Sequence, residues 1–215
     1  MAKVKIGNVY PTDEYLLKRC APAGYGLGKA AVKLTSEDDL NKIKFNGWYY
    51  WDDNNKPTNV PTTACTTYLQ AMRVLTTAGG ATYQELVDTS GSTYQGCKMQ
   101  RTIYLDTVFD WEWINPPAIQ GYEFRTTERW NGKPVYTKLF DFGVSADGAS
   151  IAHGLNPNPI IRYSAVAGSI PLPHLNAVEP EYQITVSVGA TNITMACGAS
   201  RTGLQTYVQL WYTKG

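Results

Sequence analysis

The 215-residue sequence predicts an all-β protein, and three observations support that fold class. Short segments rich in β-branched and aromatic residues alternate with a period of two, as half-buried strands do. Nineteen glycines and twelve prolines separate these segments and mark turns between them. Asn131-Gly132 lies between two such segments and is a strong hairpin signal, because both residues tolerate the positive φ of a type I′ turn.

The chain is expected to contain three regions. Residues 1–23 form a connecting segment, and residues 24–117 form a small mixed, antiparallel β domain with one short helix. Residues 118–215 form a C-terminal antiparallel β-sandwich. The boundary is placed at Asn115-Pro116-Pro117, because consecutive prolines cannot pair inside a sheet and stiffen a connection.

In the first domain, the short helix is predicted over Ser36–Ile43. Ser36 can cap its start, and the three acids that follow complement the positive end of the helix dipole. The segment from Gly47 to Trp51 is predicted to be an aromatic strand. Three antiparallel strands are expected next, at residues 68–76, 82–89 and 93–105.

The second domain opens with the hairpin at Asn131-Gly132, followed by a strand in which Val135 and Phe142 belong to opposite faces. The last strand is apolar on both faces, so it is expected to be buried between sheets or against a neighbouring chain. Further strands are predicted at residues 160–166, 182–188, 192–196 and 206–213.

Charge and hydropathy exclude two classes of partner. The formal charge is +1 and the basic residues are scattered, whereas nucleic-acid binding needs a basic stripe, so no nucleic-acid partner is expected. No apolar run approaches the ~18 residues of a membrane span, so no membrane insertion is expected. The first residues contain no apolar signal-peptide core. Only 17% of residues are charged and 15 are Tyr, which suits large interfaces between copies.

Cysteine and histidine spacing supports neither a metal site nor a cofactor. No Cys-x-x-Cys motif occurs, so the cysteines are interpreted as reduced apolar residues, and the spacing leaves Cys20–Cys65 and Cys65–Cys97 disulfides open. His153 and His174 lie 21 residues apart without a ligand pattern, and His153 is expected to be a structural hydrogen-bonding residue. The four cysteines are Cys20, Cys65, Cys97 and Cys197.

The sequence gives little support to catalysis, so the protein is expected not to be an enzyme. It contains no Gly-x-Ser-x-Gly elbow for a nucleophilic serine. Cleavage of a glycan needs two carboxyl groups in one cleft. Asp110 and Glu112, two residues apart, would face the same way on a strand, but pairs of acids at this spacing are common on solvated edges.

Aromatic residues next to polar ones provide the candidate ligand site. Large rigid rings lose little entropy on binding, and sugars stack their C–H faces on Trp and Tyr. On a strand, Trp48 and Tyr50 face one way and Tyr49 and Trp51 the other, so at most one pair can form a platform. The candidate ligand-binding residues are Trp48, Tyr50, Asp52 and Trp111.

Two groups of motifs resemble phage proteins. Trp130, the run Gly132-Lys133-Pro134-Val135-Tyr136, Ile151-Ala152-His153-Gly154 and the closing Trp211-Tyr212-Thr213-Lys214 resemble the C-terminal module of bacteriophage tail fibres and related receptor-binding proteins. This resemblance covers residues 121–215.

Residues 24–117 resemble the small knob domains of tail fibres and of fibres in phage-derived pyocins. The order of motifs is Gly-Leu-Gly at 26–28, Asp-Asp-Leu-Asn at 38–41, Gly-Trp-Tyr-Tyr at 47–50 and Pro-Thr-Asn-x-Pro at 57–61. Those domains end in a Trp-x-x-Trp-like pair, whereas the pair here is Trp111-Glu112-Trp113, one residue tighter.

The resemblance implies a virion tail-fibre protein that is assembled in the bacterial host cytoplasm. As a homotrimer it would bind a bacterial surface polysaccharide and contact other virion tail proteins, with no cofactor. The main alternative is a purely structural virion component, such as a head fibre or connector, without a ligand. A glycan depolymerase using Asp110 and Glu112 is the third hypothesis.

Overall fold

A computed structural model describes residues 31–61, 69–89 and 96–215. Within these ranges the chain consists of β-strands, turns and two short 3-10 helices, Pro180–Tyr182 and Ala199–Arg201, so the all-β prediction is confirmed. No helix in the described ranges has the length and apolar character needed to cross a membrane. The predicted connecting segment 1–23 lies outside the described residues.

The chain divides into two compact units, residues 1–115 and 116–215. The division falls inside the Asn115-Pro116-Pro117 stretch, where neither proline can donate a backbone hydrogen bond to a sheet.

One sheet organises the first unit. Its strands follow the order β1-β2-β3-β4-β5-β7, and β6 pairs with the free part of β5. All neighbours are antiparallel except β1 and β2, which are parallel. The strands are β1 Val32–Lys33, β2 Gly47–Tyr50, β3 Leu69–Thr76, β4 Ala81–Asp88, β5 Lys98–Tyr104, β6 Thr107–Val108 and β7 Glu112–Trp113.

The register of this sheet separates a buried face from an open one. Tyr49 lies opposite Met72, which lies opposite Leu86, which in turn lies opposite Met99. All four are buried, because alternate residues of each strand point to the same side of the sheet. The residues between them in sequence therefore form the other face, on which the candidate site is built.

The prediction of a short helix over residues 36–43 is wrong. The segment forms turns and a single bridge pair between Asp39 and Thr58. The Asp38 carboxylate accepts hydrogen bonds from the Thr35 amide (2.7 Å) and hydroxyl (3.1 Å). The Leu40 amide donates to the Thr58 carbonyl at 3.1 Å, and the Thr58 amide donates to the Asp38 carbonyl at 2.9 Å. Backbone amide and carbonyl groups that would bond to each other inside a helix therefore have other partners here.

The second unit contains two antiparallel sheets. The larger has the order β8-β9-β15-β11-β12, and the smaller has the order β10-β14-β13. The strands are β8 Glu123–Trp130, β9 Lys133–Val144, β10 Ser150–Ala152, β11 Pro157–Ala167, β12 Ile170–Leu172, β13 Ile184–Val188, β14 Asn192–Cys197 and β15 Gln205–Lys214.

Side chains from both sheets form one hydrophobic core in this unit. Val208 and Leu210 of β15 and Ile184 and Ile193 of the smaller sheet are each completely buried. Burial of each such aliphatic side chain contributes about 1.5–3 kcal/mol relative to exposure. Both sheets of this unit therefore contribute side chains to the same core.

The β8–β9 hairpin turns at Asn131-Gly132, as predicted. Asn131 has φ of 48° and Gly132 has φ of 78°, and two positive values are the signature of a type I′ turn. Trp130 and Lys133 form the pair that closes the turn.

Within one chain the last strand is buried on one face and only partly covered on the other, so its expected burial against a neighbouring chain stays a prediction. Val208, Leu210 and Tyr212 are buried, whereas Tyr207 on the other face is 38% exposed. Trp211 on that face is covered in part by Arg162, whose guanidinium carbon lies 4.7 Å from the ring centroid. One face of β15 meets the core and the other lies on the outside of its sheet.

Candidate ligand-binding face

The open face of the first sheet presents two exposed rings. Tyr49 and Trp51 point into the core, and the alternation of β2 therefore turns Trp48 and Tyr50 outward. Trp48 is 42% exposed and Tyr50 is 40% exposed. The structure thus brings together two of the four residues predicted from the sequence.

Strand register places a polar row beside these rings. Trp48 lies opposite Arg73, Arg73 opposite Glu85, and Glu85 opposite Gln100. Neighbouring strands are spaced ~4.8 Å apart, so the row from Trp48 to Gln100 spans about 14 Å. We call this surface the aromatic face; it comprises Trp48, Tyr50, Arg73, Tyr83, Glu85, Lys98 and Gln100.

Glu85 is the centre of a hydrogen-bonded network on the aromatic face. Its carboxylate accepts a 2.9 Å hydrogen bond from the Tyr83 hydroxyl and lies 3.4 Å from Arg73 Nη2 and 3.9 Å from Lys98 Nζ. The Tyr83 hydroxyl also lies 3.0 Å from Gln100 Oε1. Burial, followed by the hydrogen bond to Glu85, raises the pKa of Tyr83 to about 12.

This network fixes polar groups without using all their capacity. Arg73 and Lys98 keep 46% and 43% of their side chains exposed, and each cation has N–H donors that its contact with Glu85 does not use. Fixed donors beside two exposed rings are the ingredients for binding a polyhydroxylated ligand, because the rings pack against apolar faces while the donors reach hydroxyl oxygens.

Asp52 lies at the border of this face and is already paired. Lys33, which pairs with Tyr50 in the sheet, places its Nζ 2.7 Å from the Asp52 carboxylate. The Asp52 carboxylate also accepts a 3.1 Å hydrogen bond from the Asn54 amide, which forms the turn after β2. The hydrogen bond from Lys33 is the main cause that lowers the pKa of Asp52. Asp52 therefore shapes the border of the face.

Trp111 does not join the aromatic face. Its ring lies against Arg101, with the guanidinium carbon 4.3 Å from the ring centroid. Arg101 pairs with Gln84 on the buried face, is 6% exposed, and donates a 2.8 Å hydrogen bond to Gln84 Oε1. Burial lowers the pKa of Arg101 to about 10. Trp111 thus covers a buried cation on the opposite face of the sheet.

Sequence reasoning missed five residues of the aromatic face. Alternation alone could have placed Arg73 on one side of β3, but only the register shows that it lies beside Trp48. The missed residues are Arg73, Tyr83, Glu85, Lys98 and Gln100.

The carboxylate pair considered from the sequence loses its geometric basis. Strand β7 begins at Glu112, so Asp110 precedes the strand and the same-face argument does not apply to it. Asp110 is exposed, whereas Glu112 is 7% exposed.

His153 has the structural role predicted for it. It is buried, its Nδ1 accepts a 3.1 Å hydrogen bond from the Leu155 amide, and its Nε2 lies 3.3 Å from the Gly189 carbonyl. In the described ranges, no group of three or more His, Cys, Asp or Glu side chains could hold a metal ion.

Two of the four cysteines can be placed. Cys197 is buried and has a free thiol, Cys97 is half-buried, and both disulfides left open by the spacing include Cys65. Cys20 and Cys65 lie outside the described residues.

Comparisons with known proteins return distant structural similarity only. No family model matches the sequence, and no curated protein matches it. An N-truncated R2-type pyocin tail fibre is 11% identical over 86% of this chain and 98% of its own, with a TM-score of 0.32. The P. aeruginosa R2 pyocin fibre is 11% identical over 86% of this chain and 67% of its own, with a TM-score of 0.32.

The P. aeruginosa R1 pyocin fibre is 9% identical over 83% of this chain and 66% of its own, with a TM-score of 0.29. Similarity at this level carries no function over to this chain.

Proposed function

We propose that this protein is a tail-fibre or receptor-binding protein of a bacteriophage or phage-derived particle, and that it binds a bacterial surface glycan. The observation that supports this best is the pair of exposed rings, Trp48 and Tyr50, beside the hydrogen-bonded Arg73–Glu85–Tyr83 network. The rings stack on sugar C–H faces, and the free donors of Arg73 and Lys98 reach hydroxyl or acidic oxygens.

The network lowers the entropic cost of binding. Arg73 is held by Glu85, and its guanidinium carbon lies 5.9 Å from the centroid of the Tyr83 ring. A side chain already ordered in the free protein loses less conformational freedom when a ligand arrives. Binding needs no cofactor and breaks no bond, so the protein is not an enzyme in this proposal.

Avidity provides the strength that one shallow face lacks. The protein acts as a homotrimer in the virion tail, assembled in the bacterial host cytoplasm and attached to other virion tail proteins. Three linked sites raise the effective affinity without any new contact. The low content of charged residues, 17%, supports extensive contact between copies. Light scattering should give a mass near three times 23.8 kDa, and a monomer mass would contradict the homotrimer.

A glycan array tests the proposed site. The wild-type protein should bind a subset of bacterial surface glycans, and Trp48→Ala should reduce that binding at least tenfold. Trp130→Ala is the matched control, because Trp130 is 43% exposed but lies in the second unit. Equal binding by wild type and Trp48→Ala would contradict a role for the aromatic face.

A purely structural virion component is the alternative. It is favoured by the internal pairing of Glu85 with both Arg73 and Lys98, which a structural sheet would also use. If the wild-type protein bound no glycan on the array, that result would support the structural alternative. New reducing ends in capsule incubated with the protein would instead identify a depolymerase and contradict the adhesin.

A further inference from the structure

We propose that Asn131 is a site of spontaneous covalent modification, at which the side-chain amide is lost and aspartate or isoaspartate forms. The sequence contains two Asn-Gly pairs, Asn46-Gly47 and Asn131-Gly132. Both pairs have the residues that this chemistry needs, because glycine has no Cβ to keep its backbone nitrogen away from the asparagine side chain. Only the structure distinguishes one pair from the other. The modification requires no glycan and is independent of the aromatic face.

The reaction takes place between neighbouring groups of the chain and water. The backbone nitrogen of Gly132 attacks Cγ of Asn131, a bond forms between these two atoms, and the bond from Cγ to Nδ2 breaks. Nδ2 leaves as ammonia and takes the proton that the Gly132 nitrogen loses. Water then opens the cyclic imide at either carbonyl, which gives aspartate or, with an extra methylene in the backbone, isoaspartate. Nothing is oxidised or reduced, so water is the only co-reactant.

The Asn131-Gly132 pair lies at an exposed hairpin tip where the reacting groups have no other partners. Both residues are exposed, and a Cβ built on Gly132 would meet no atom within 4 Å. Within the described ranges, neither the Asn131 side chain nor the Gly132 amide forms a hydrogen bond. The reaction therefore has to break no side-chain contact at this tip.

The backbone of Asn131 has to rotate before the imide can close. Its φ is 48°, in the left-handed region that is unfavourable for any residue with a side chain. Rotation out of this region disturbs only the end of the hairpin, and exposed loop tips are the parts of a domain that open most readily. The turn conformation therefore slows the reaction without preventing it.

Asn46 is held where the same reaction cannot proceed. Its Oδ1 accepts a hydrogen bond from the Thr76 amide, and Gly47 begins β2 and pairs with Val74. The Tyr49 hydroxyl donates a 2.8 Å hydrogen bond to the Phe45 carbonyl, immediately before Asn46. Closure of an imide here would break the bond to Thr76 and pull the start of β2 out of the sheet.

The modification should weaken the β8–β9 hairpin. Isoaspartate inserts a methylene into a two-residue turn whose geometry sets the pairing of Trp130 with Lys133. Both products also place a carboxylate at the tip, which lowers the formal charge of the chain from +1 to 0. The modified protein can therefore be separated from the unmodified protein by ion exchange.

The test is incubation of the full chain in mildly alkaline buffer, followed at intervals by tryptic digestion and mass spectrometry. Alkali promotes the attack because it removes the proton from the backbone nitrogen. Asn131 is the only asparagine of the tryptic peptide 130–138, and Asn46 lies in the peptide 45–73. Asn131 should convert at least tenfold faster than Asn46 in the folded protein. In urea the two rates should become similar, because both residues precede glycine and neither keeps a tertiary partner.

Two results of this incubation would overturn the proposal. One is equal conversion of Asn131 and Asn46 in the folded protein, which would mean that the Thr76 bond and β2 pairing protect nothing. The other is conversion of Asn131 in urea alone, which would mean that the folded turn blocks the reaction.

Matched variants locate the released ammonia and separate charge from backbone effects. Asn131→Asp should release several-fold less ammonia than the wild type, whereas Asn46→Asp should release as much as the wild type. Undiminished release by Asn131→Asp would contradict the assignment. Asn131→Asp also has the charge of the product without the extra methylene, so the purified isoaspartate form should melt at a lower temperature than this variant. Equal melting temperatures would contradict the weakening of the hairpin.

Discussion

The hydroxyl of Tyr163 donates a 2.8 Å hydrogen bond to the backbone carbonyl of Val186. Tyr163 belongs to β11 of the larger sheet in the second unit, and Val186 belongs to β13 of the smaller sheet. This bond ties the two sheets together at the border of their common core. Its directionality complements the apolar packing, which by itself does not fix how one sheet slides on the other.

Removal of this hydroxyl should destabilise the second unit. Tyr163→Phe keeps the ring but leaves the Val186 carbonyl without its donor, which should lower the free energy of unfolding by about 1 kcal/mol. Urea denaturation measures the change. Tyr207→Phe is the control, since Tyr207 is 38% exposed against 37% for Tyr163 and should change stability by less than about 0.5 kcal/mol. Equal losses of stability in Tyr163→Phe and Tyr207→Phe would show that the Tyr163–Val186 hydrogen bond contributes nothing.

Two glycines should respond to alanine with opposite signs. Gly132 has φ of 78°, and a Cβ there would meet nothing within 4 Å, so the cost is conformational. Gly132→Ala should lower the free energy of unfolding by about 1–2 kcal/mol. Gly79 has no positive φ and only an ordinary 4.0 Å contact, so Gly79→Ala should raise it by about 0.5 kcal/mol. Thermal unfolding of both variants measures these changes. A Gly132→Ala variant as stable as the wild type would contradict the type I′ turn.

Adjacent acids in the first unit distinguish the observed turn from the predicted helix. Asp38→Ala removes the acceptor of two Thr35 hydrogen bonds and should cost about 1–2 kcal/mol. Glu37 is exposed, so Glu37→Ala should cost less than about 0.5 kcal/mol. At the start of a helix both carboxylates would interact with its dipole. Similar losses in the two variants, measured by urea denaturation, would therefore favour the helix.

The aromatic face should make stability depend on alkaline pH. The folded pKa of Tyr83 is raised from 10.0 to about 12, so the folded state holds this proton more tightly than the unfolded state. The associated stability is fully present below pH 10 and is lost as pH rises from 10 to about 12. In Tyr83→Phe the unfolding free energy should fall less steeply across this window.

Glu85→Gln separates the causes of that shift. Burial is the largest cause and the hydrogen bond to Glu85 is the second, so Tyr83 in this variant should ionise earlier than in the wild type but still above pH 10. Tyrosine absorbance during an alkaline titration reports the ionisation. No change in Glu85→Gln would contradict the hydrogen-bonded network.

Features decided by nearby residues could be predicted from the sequence. The Asn131-Gly132 turn depends on two residues that adopt positive φ, and the common direction of Trp48 and Tyr50 follows from alternation along β2. Residues 36–43 also carry local helix signals. Backbone groups of this segment nevertheless form hydrogen bonds with Thr58, which lies far along the chain. Tertiary partners overrode a local preference there.

The polar half of the candidate site could not be predicted, for a related reason. Glu85 and Gln100 come to lie in one row with Arg73 only through the pairing of β3, β4 and β5, and a shift of one residue would send each of them to the other face. Trp111 lies apart from the aromatic face because it stacks on Arg101, a contact that residue type and spacing do not encode.

The position of β15 between β9 and β11 has a consequence for biosynthesis. The central strand of the larger sheet is the one translated last in this unit, so β9 and β11 emerge from the ribosome with no partner between them. Until residue 214 is released, both strands expose open edges, which are templates for pairing with other nascent chains. A stop codon placed directly after residue 205, which removes nearly all of β15, should therefore yield insoluble protein even though every other strand is present.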